Sequence, residues 1–532
     1  MKMKLQKISI AAVCILLSLS SCNEYMDINE NPNLPSESLV GAPSIFPGAI
    51  TNTFRVHARD LVNLGALYTN FIGTNSALYG NGNDAEFTMN LNNTYYATLW
   101  DSTYRGVNNI QLVIDKSDAN PAYKYYGGMA RIMKVFYMQT IVDLYGNVPY
   151  TEAFKMQTNL RPKYDKDTEV YKTMFGELDQ AILALSDTNS NGSITVPSNQ
   201  DVVFKGNVNK WIAFANAIKL RMLIRMSNVT GDMATVRNQQ ISTLVGKTII
   251  DEDVTVNPGY STASADNMNP FANLFYSSIT GTTTQSYRMD TASGHLAICL
   301  NSNDKNDTNA FYQKFNGVVD GRKARMFTVT SNRVIGVKQG ARPGEADMTV
   351  ERPISSFGPG WFTSGAWGLS RDNAVAAGSR AGALMTATEI NLLKSEASLR
   401  YPILSYDGKA TFEKAITQSY AYLGATGATA YITKINTVNK LGWIGTDVEK
   451  IEAIITQKWL ALGMITPIQV FFDYNRTGYP YIPLAKTAAK PNKPYRLMYP
   501  TSEYAANATN VPQMTADQCF VKNEFTPFLL TN

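Results

Sequence analysis

The stretch Ala130–Tyr150, ARIMKVFYMQTIVDLYGNVPY, constrains the chain more than any other, because it reads as a helix with a fixed stop. Met129, Ile132, Met133, Phe136, Thr140 and Leu144 recur at steps of three and four, which places them on one face of a helix of period 3.6. Arg131, Lys134, Gln139 and Asp143 fall mainly elsewhere. Gly146 can take the left-handed conformation that closes a last turn, and Pro149 has no N–H with which to continue, so the helix ends near Tyr145. Its apolar stripe needs other helices to bury it.

Those helices are written elsewhere in the chain. Helical patterns run over Ala49–Phe71, Thr94–Lys116, Glu169–Leu185, Lys210–Met226 and Met233–Val245, and again over Thr386–Leu399, Gly408–Leu423 and Asp447–Leu462, ahead of a proline-bearing C-terminal segment. Between about Asp251 and Gly382 the chain is irregular, with clustered Gly, Pro, Asn, Ser and Thr and short strand-like pieces such as Arg333–Lys338. A loop region that long inside a compact protein usually carries function. Paired helices of moderate length suggest a tetratricopeptide-like scaffold of helical hairpins, although no clean repeat period is present. At 532 residues, with no obvious linker, one large domain or two intimately packed lobes both fit.

The N-terminus points outside the cytoplasm. Lys2, Lys4 and Lys7 precede an apolar run from Ile8 to Leu19 that suits a signal peptide and is too short to span a bilayer. It meets Leu19-Ser20-Ser21-Cys22, which resembles a bacterial lipobox, so residues 1–21 are expected to be removed and Cys22 to be lipidated. Residues 22–47 then form a tether, with Pro32, Pro35, Pro43 and Pro47 breaking any helix, and 48–532 form the body. Cys299 and Cys519 remain in the mature chain. A disulfide between them is chemically permitted, but two buried free thiols are the preferred reading.

Composition excludes several classes of function. Hydrophobic residues make up 44% and charged residues 17%, which describes a globular body and not a disordered tail. The formal charge of +5 falls to +2 without the three leader lysines, and no long Lys/Arg run marks a nucleic-acid surface. With only His57 and His295, and no G-x-S-x-G or H-E-x-x-H, there is little material for a histidine triad or a three-histidine zinc site. A glycosidase needs only two carboxylates, which sequence does not exclude. The run Asn301–Asp307 has oxygen ligands but lacks the glycine and closing glutamate of a calcium loop, and reads as a polar turn. No metal or cofactor is expected.

Binding without chemistry asks for other residues. A sugar offers an apolar C–H face and a rim of hydroxyls, so its site needs a flat aromatic ring with amide or guanidinium donors nearby. The loop Phe357–Arg371, FGPGWFTSGAWGLSR, supplies Trp361, Phe362, Trp367 and Arg371 among glycines. Its tryptophans either contact ligand or fold back as a plug. The stretch Asn75–Phe87 sets Tyr79, Asn81 and Asn83 in a glycine-rich loop, and Tyr287 and Arg288 lie in the irregular middle.

Several stretches, in order along the chain, resemble the SusD/RagB family of lipid-anchored nutrient-binding proteins. They are Trp100-Asp101-Ser102-Thr103-Tyr104 with Asn108-Asn109, then LYGNVPY at Leu144–Tyr150, then Asn209-Lys210-Trp211 through Arg225, then Thr386–Arg400. Gln457-Lys458-Trp459, Tyr474–Pro480 and Tyr499–Asn507 follow, with Ser395 and Asn475 departing from the commoner residues. Amphipathic spacing makes most of these residues packing elements. The resemblance implies a mostly α-helical, tetratricopeptide-like fold at the outer surface of the outer membrane, working with a SusC-like TonB-dependent transporter and performing no covalent step. Glu24, Asp27 and Glu30 behind Cys22 resemble surface-export signals in the same bacteria. It also raises Tyr79 and Asn81 as ligand contacts beside Trp361, Trp367, Arg371 and Tyr287. The implied ligand is an oligosaccharide, with peptide or another oligomer as its rival; a surface hydrolase and a scaffold that binds only proteins are the other classes.

Overall fold

A computed structural model describes residues 40–75, 82–155, 158–189, 192–278, 280–342, 345, 353–363 and 371–531. Its helices follow the amphipathic patterns closely. Those that build the scaffold are α1 (Ala42–Val56), α2 (Val62–Tyr68), α3 (Ala97–Ala119), α4 (Lys124–Tyr145), α5 (Asp167–Ser186), α6 (Val208–Arg225), α7 (Gly231–Leu244), α8 (Ala387–Arg400), α9 (Gly408–Leu423), α10 (Ala428–Ile435), α11 (Asp447–Leu462) and α12 (Pro467–Thr477). Short side-chain caps explain many of the starts. Asn207, Thr386 and Asp407 accept the N–H of the third residue that follows, and Thr446 with Glu449 forms a capping box.

Successive helices α3, α4, α5 and α6 pack on one another as hairpins, while α1 lies against α3, and α8 pairs with α9 and α11. The mostly helical hairpin scaffold is therefore present. Two apolar clusters fill it. One lies among α1 and α3–α7, the other among α9–α11 and the irregular middle. Helices α2, α8 and α12 form the wall between them: Leu64, Ile390 and Phe471 face the first cluster, whereas Leu67, Leu392 and Val470 face the second. At Gly65 a Cβ would stand 2.3 Å from the backbone nitrogen of Ile468, so glycine is what lets α2 and α12 approach this closely.

The helix that organised the sequence ends as expected at Tyr145, but it is not amphipathic in its surroundings. Apart from Arg131 and Lys124, nearly its whole length is buried, including Lys134, Gln139 and Asp143. Those three keep partners: Lys134 donates to Glu177 at 2.7 Å, Gln139 accepts from Arg221 at 2.9 Å, and Asp143 accepts from Tyr171 at 2.5 Å. Gly146 has φ +71° with ψ −118°, a conformation outside the left-handed helical region and open essentially to glycine alone.

Two proline expectations are corrected. Pro43 and Pro47 do not break a helix, because α1 already begins at Ala42. Pro43 sits in the first turn, where no N–H is needed, and Pro47 costs only one early bond. Pro467 starts α12 within the proline-bearing C-terminal segment. The irregular middle is a closed excursion. Strand β2 (Val254–Val256) pairs antiparallel with β4 (Gly382–Met385), tying its two ends, and β1 (Ile72–Thr74) pairs with β3 (Asp290–Ala292), tying its interior to the chain after α2. Cys299 and Cys519 are buried free thiols.

The wall holds a buried ionic network. Asp473 on α12 accepts Arg225 at 2.7 Å, Lys458 at 2.8 Å and Arg476 at 2.9 Å; Arg476 also binds Glu396 at 2.6 Å. Burial alone would raise the Asp473 pKa, but the three cations hold it far below the ordinary carboxylate range. Asp473→Ala should cost about 3–5 kcal/mol, since it strands cations in the interior. A melting temperature equal to wild type would refute this account.

Candidate functional site

The β1–β3 ribbon adjoins two of the stretches that sequence singled out, Asn75–Phe87 and the segment holding Tyr287. At its Thr74/Asp290 end, the N–H of Asn75 donates to the Met289 carbonyl at 2.8 Å, and Asn83 donates to both Asp290 and Thr74 at 2.9 Å. Both ends of the Asn75–Asn83 loop are thus fastened to the segment Gln285–Asp290. That segment is in turn fastened to the start of the stretch Phe357–Arg371, because the Tyr287 hydroxyl donates to the Phe357 carbonyl at 2.9 Å.

Beside this junction is a cleft of about 320 Å³ lined by Arg59, Asp60, Asn63, Tyr96, Thr98, Leu274, Ser286, Met289 and Asp290. Two backbone irregularities shape it. Between α1 and α2 the helix opens into a π-helical turn over His57–Leu61, which carries Arg59 and Asp60; such turns recur at functional sites. Tyr96 precedes α3 with φ +51°, an uncommon conformation for a bulky residue, and its hydroxyl accepts from Asn63 at 2.9 Å.

Electrostatically the cleft is muted. Burial raises the pKa of Asp60 against the opposing pull of its Thr98 hydrogen bond and of Arg59. Burial also pushes Asp290 up to about 7, opposed by Asn83 and aided by Glu86, whose own pKa burial raises. Arg59 is lowered by burial and by Arg55, and it donates to the neutral amide of Asn273 at 2.9 Å. Among the described residues, no group of three or more His, Cys, Asp and Glu has an arrangement that could hold a metal. The arrangement offers amide, hydroxyl and guanidinium groups with little net charge.

A family of SusD-like proteins described as "Starch-binding associating with outer membrane" matches residues 32–500. The chain belongs to the SusD-like family. Solved structures similar to it include a chitin-binding SusD homologue from Flavobacterium johnsoniae, with 20% identity over 92% of this chain and 97% of that one and a TM-score of 0.68. SusD homologues from Bacteroides vulgatus (19% identity, 90% and 97% covered, TM-score 0.67) and Bacteroides uniformis (21%, 88% and 94%, TM-score 0.64) share the fold as well. No curated protein sequence matches the chain.

The motifs that resemble the SusD-like family contact one another. Trp100 is buried and donates to Glu503 at 3.3 Å, and the Tyr499 hydroxyl donates to the Asn147 carbonyl at 2.7 Å, locking the end of α4. Trp211 donates to Asp201, and Trp459 to the Thr69 carbonyl. These are packing roles, as their spacing implied.

Of the residues read as ligand contacts, Trp361 is 3% exposed. It meets Phe71 edge-on at 5.8 Å and its indole N–H donates to the Met326 carbonyl at 2.8 Å. It packs as a plug, and it lines a small pocket of about 60 Å³. Tyr287 is also buried, so in this structure neither ring is a platform open to solvent. Arg371 opens the helix Arg371–Ser379, and its side chain lies outside the described residues, as do Tyr79, Asn81, Trp367 and Cys22. Sequence reading missed Arg59, Asp60, Asn63, Tyr96 and Asp290; the first three sit on a helical pattern whose period the π turn breaks.

Asp290 generates a pH prediction. Its folded pKa lies above the unfolded value, so its burial costs nothing while both states are protonated, and the cost grows as pH rises from about 4 to about 7. Asp290→Asn, which keeps an acceptor for Asn83, should match wild-type stability at pH 4 and exceed it at pH 8 by up to about 4 kcal/mol. Equal stability at both pH values, measured by thermal melting, would discard this reading.

Proposed function

We propose that this protein is a cell-surface nutrient-binding lipoprotein that captures an oligosaccharide and delivers it to a SusC-like TonB-dependent outer-membrane transporter. The observation that supports the reading is a low-charge cleft rich in hydrogen-bonding groups at the Thr74/Asp290 end of the ribbon, where Asn83 is fastened to the lining residue Asp290. Uncharged hydroxyls exchange water for such groups without the desolvation penalty of an ion. The chitin-binding relative supports a glycan as ligand. Tyr79, Asn81, Trp367 and Arg371 are the ligand contacts of this reading, and Tyr287 and Trp361 support the loops that carry them.

Lipidation at Cys22 holds the body on the membrane through a tether that reaches α1 at Ala42. No helix among the described residues is long and apolar enough to cross a membrane. Replacing Cys22 by Ala should move the protein from the membrane fraction to the soluble fraction of cells; retention in the membrane would remove the anchor from the proposal.

Binding is tested by calorimetry against neutral oligosaccharides and peptides. Saturable binding of a glycan, weakened about tenfold or about 1.4 kcal/mol by Arg59→Ala or Asn63→Ala, is expected. Saturation only by peptides would replace the ligand class. Asp60 and Asp290 line the same cleft, so release of new reducing ends by wild type, abolished by Asp60→Asn, would replace binding by hydrolysis.

A further inference from the structure

A second cleft, of about 550 Å³, lies at the opposite end of the β1–β3 ribbon, where Asn70 precedes β1 and Gly294 follows β3. Asp290 and Gly294 are roughly 13 Å apart along the chain at strand rise, so the two clefts are neighbours with separate walls. The family motifs do not account for the second one.

Three observations define its chemistry. The first is an exposed ring: Tyr481 is 42% exposed, and its inner edge rests on His295 at 6.0 Å and Tyr312 at 6.4 Å, both of which line the cleft. The second is a pair of unmet acceptors in the buried wall. Asn70 donates its amide N–H to the Pro483 carbonyl at 3.2 Å, and Gln339 donates to the Leu67 and Ile72 carbonyls at 2.9 and 2.6 Å. Those bonds fix both amides so that Asn70 Oδ1 and Gln339 Oε1 accept, yet neither oxygen has a donor. The third is a small net charge. The lining carries Asp304 and Asp307 against Lys305, Arg333 and Lys338, one positive charge in excess, and Arg333 already holds Asp304 at 2.5 Å.

An apolar ring face beside a wall short of donors, with a net charge of only +1, matches an uncharged ligand that has C–H faces and many hydroxyls. We propose that this cleft is a second binding subsite for a sugar unit, with Tyr481 as its stacking platform. It goes beyond the first-cleft reading and draws on different residues.

The test uses the full chain carrying Arg59→Ala to weaken the first cleft, titrated by calorimetry with hexasaccharides of β-1,4-N-acetylglucosamine, α-1,4-glucose and β-1,4-xylose. Saturable binding should persist in that background and fall at least tenfold on adding Tyr481→Ala, while Tyr481→Phe, which keeps the ring, restores it. Ile298→Trp fills the cleft from its half-buried wall and should have the same effect as Tyr481→Ala, which guards against a folding defect at Tyr481. Binding in the Arg59→Ala background that none of these changes alters overturns the second subsite and leaves the first untouched. Wild-type binding that Arg59→Ala abolishes entirely also overturns it, whereas wild-type binding that only the Tyr481→Ala and Ile298→Trp changes weaken upholds it and overturns the first-cleft assignment.

Discussion

The carboxylate of Asp473, buried and met by Arg225, Lys458 and Arg476, is the interaction on which the helical scaffold depends. Its partners come from α6, α11 and α12, and Glu396 extends the network to α8, which Arg221 also approaches through Glu389 at 3.7 Å. Asp143 brings in α4 at 3.4 Å from Arg225. Taking so many charges out of water adds little net stability, because desolvation offsets most of the attraction. What it supplies is register. Each of five helices must present one charge at one depth, so sliding a single helix leaves ions buried without partners, and apolar packing alone would not impose that penalty.

The same wall positions both clefts. Helix α2 leaves the wall and runs into β1 through Asn70, which has φ +51° and whose carbonyl accepts the Ser293 hydroxyl at 2.6 Å. Trp459 of α11 donates to the neighbouring Thr69 carbonyl at 3.1 Å. The ribbon is therefore fixed at its base by the scaffold, and a strand pair of only three residues can hold loops at one end and a cleft at the other. A free hairpin of that size would not be stable in water.

The helical scaffold was legible because its signals are local. Nine periodic stretches marked all the scaffold helices but α10 and α12, and the stop at Tyr145 follows from Gly146 and the following proline. Proline misled where it lies in a first turn, at Pro43, because that position needs no N–H and the sequence alone does not say where the helix begins. Of the candidate site, the loops were legible and the ring orientations were not. Glycines and aromatics flagged the stretches around Tyr79, Tyr287 and Trp361, but whether a tryptophan faces solvent or Phe71 depends on contacts across about 290 residues of chain. Arg59, Asp60 and Asn63 were illegible for a different reason, since a π turn rotates the residues that follow it off the face that period 3.6 assigns.

Wall and clefts use polar groups in opposite ways. In the wall, charges are paired so fully that Asp473 stays ionised against burial. In the first cleft, Asp60 and Asp290 lack cations strong enough to do this, and burial shifts both toward the protonated form, in which a carboxyl both donates and accepts. A hydroxyl-bearing ligand needs partners of both kinds, and it gains most where neither side must shed a tightly held shell of water. A fully ionised cleft would bind cations or repel anions before it distinguished one neutral chain from another. Under the proposed function, Asp290, pushed up to about 7, beside amides and a tyrosine hydroxyl leaves the choice among neutral chains to the geometry of the hydrogen bonds.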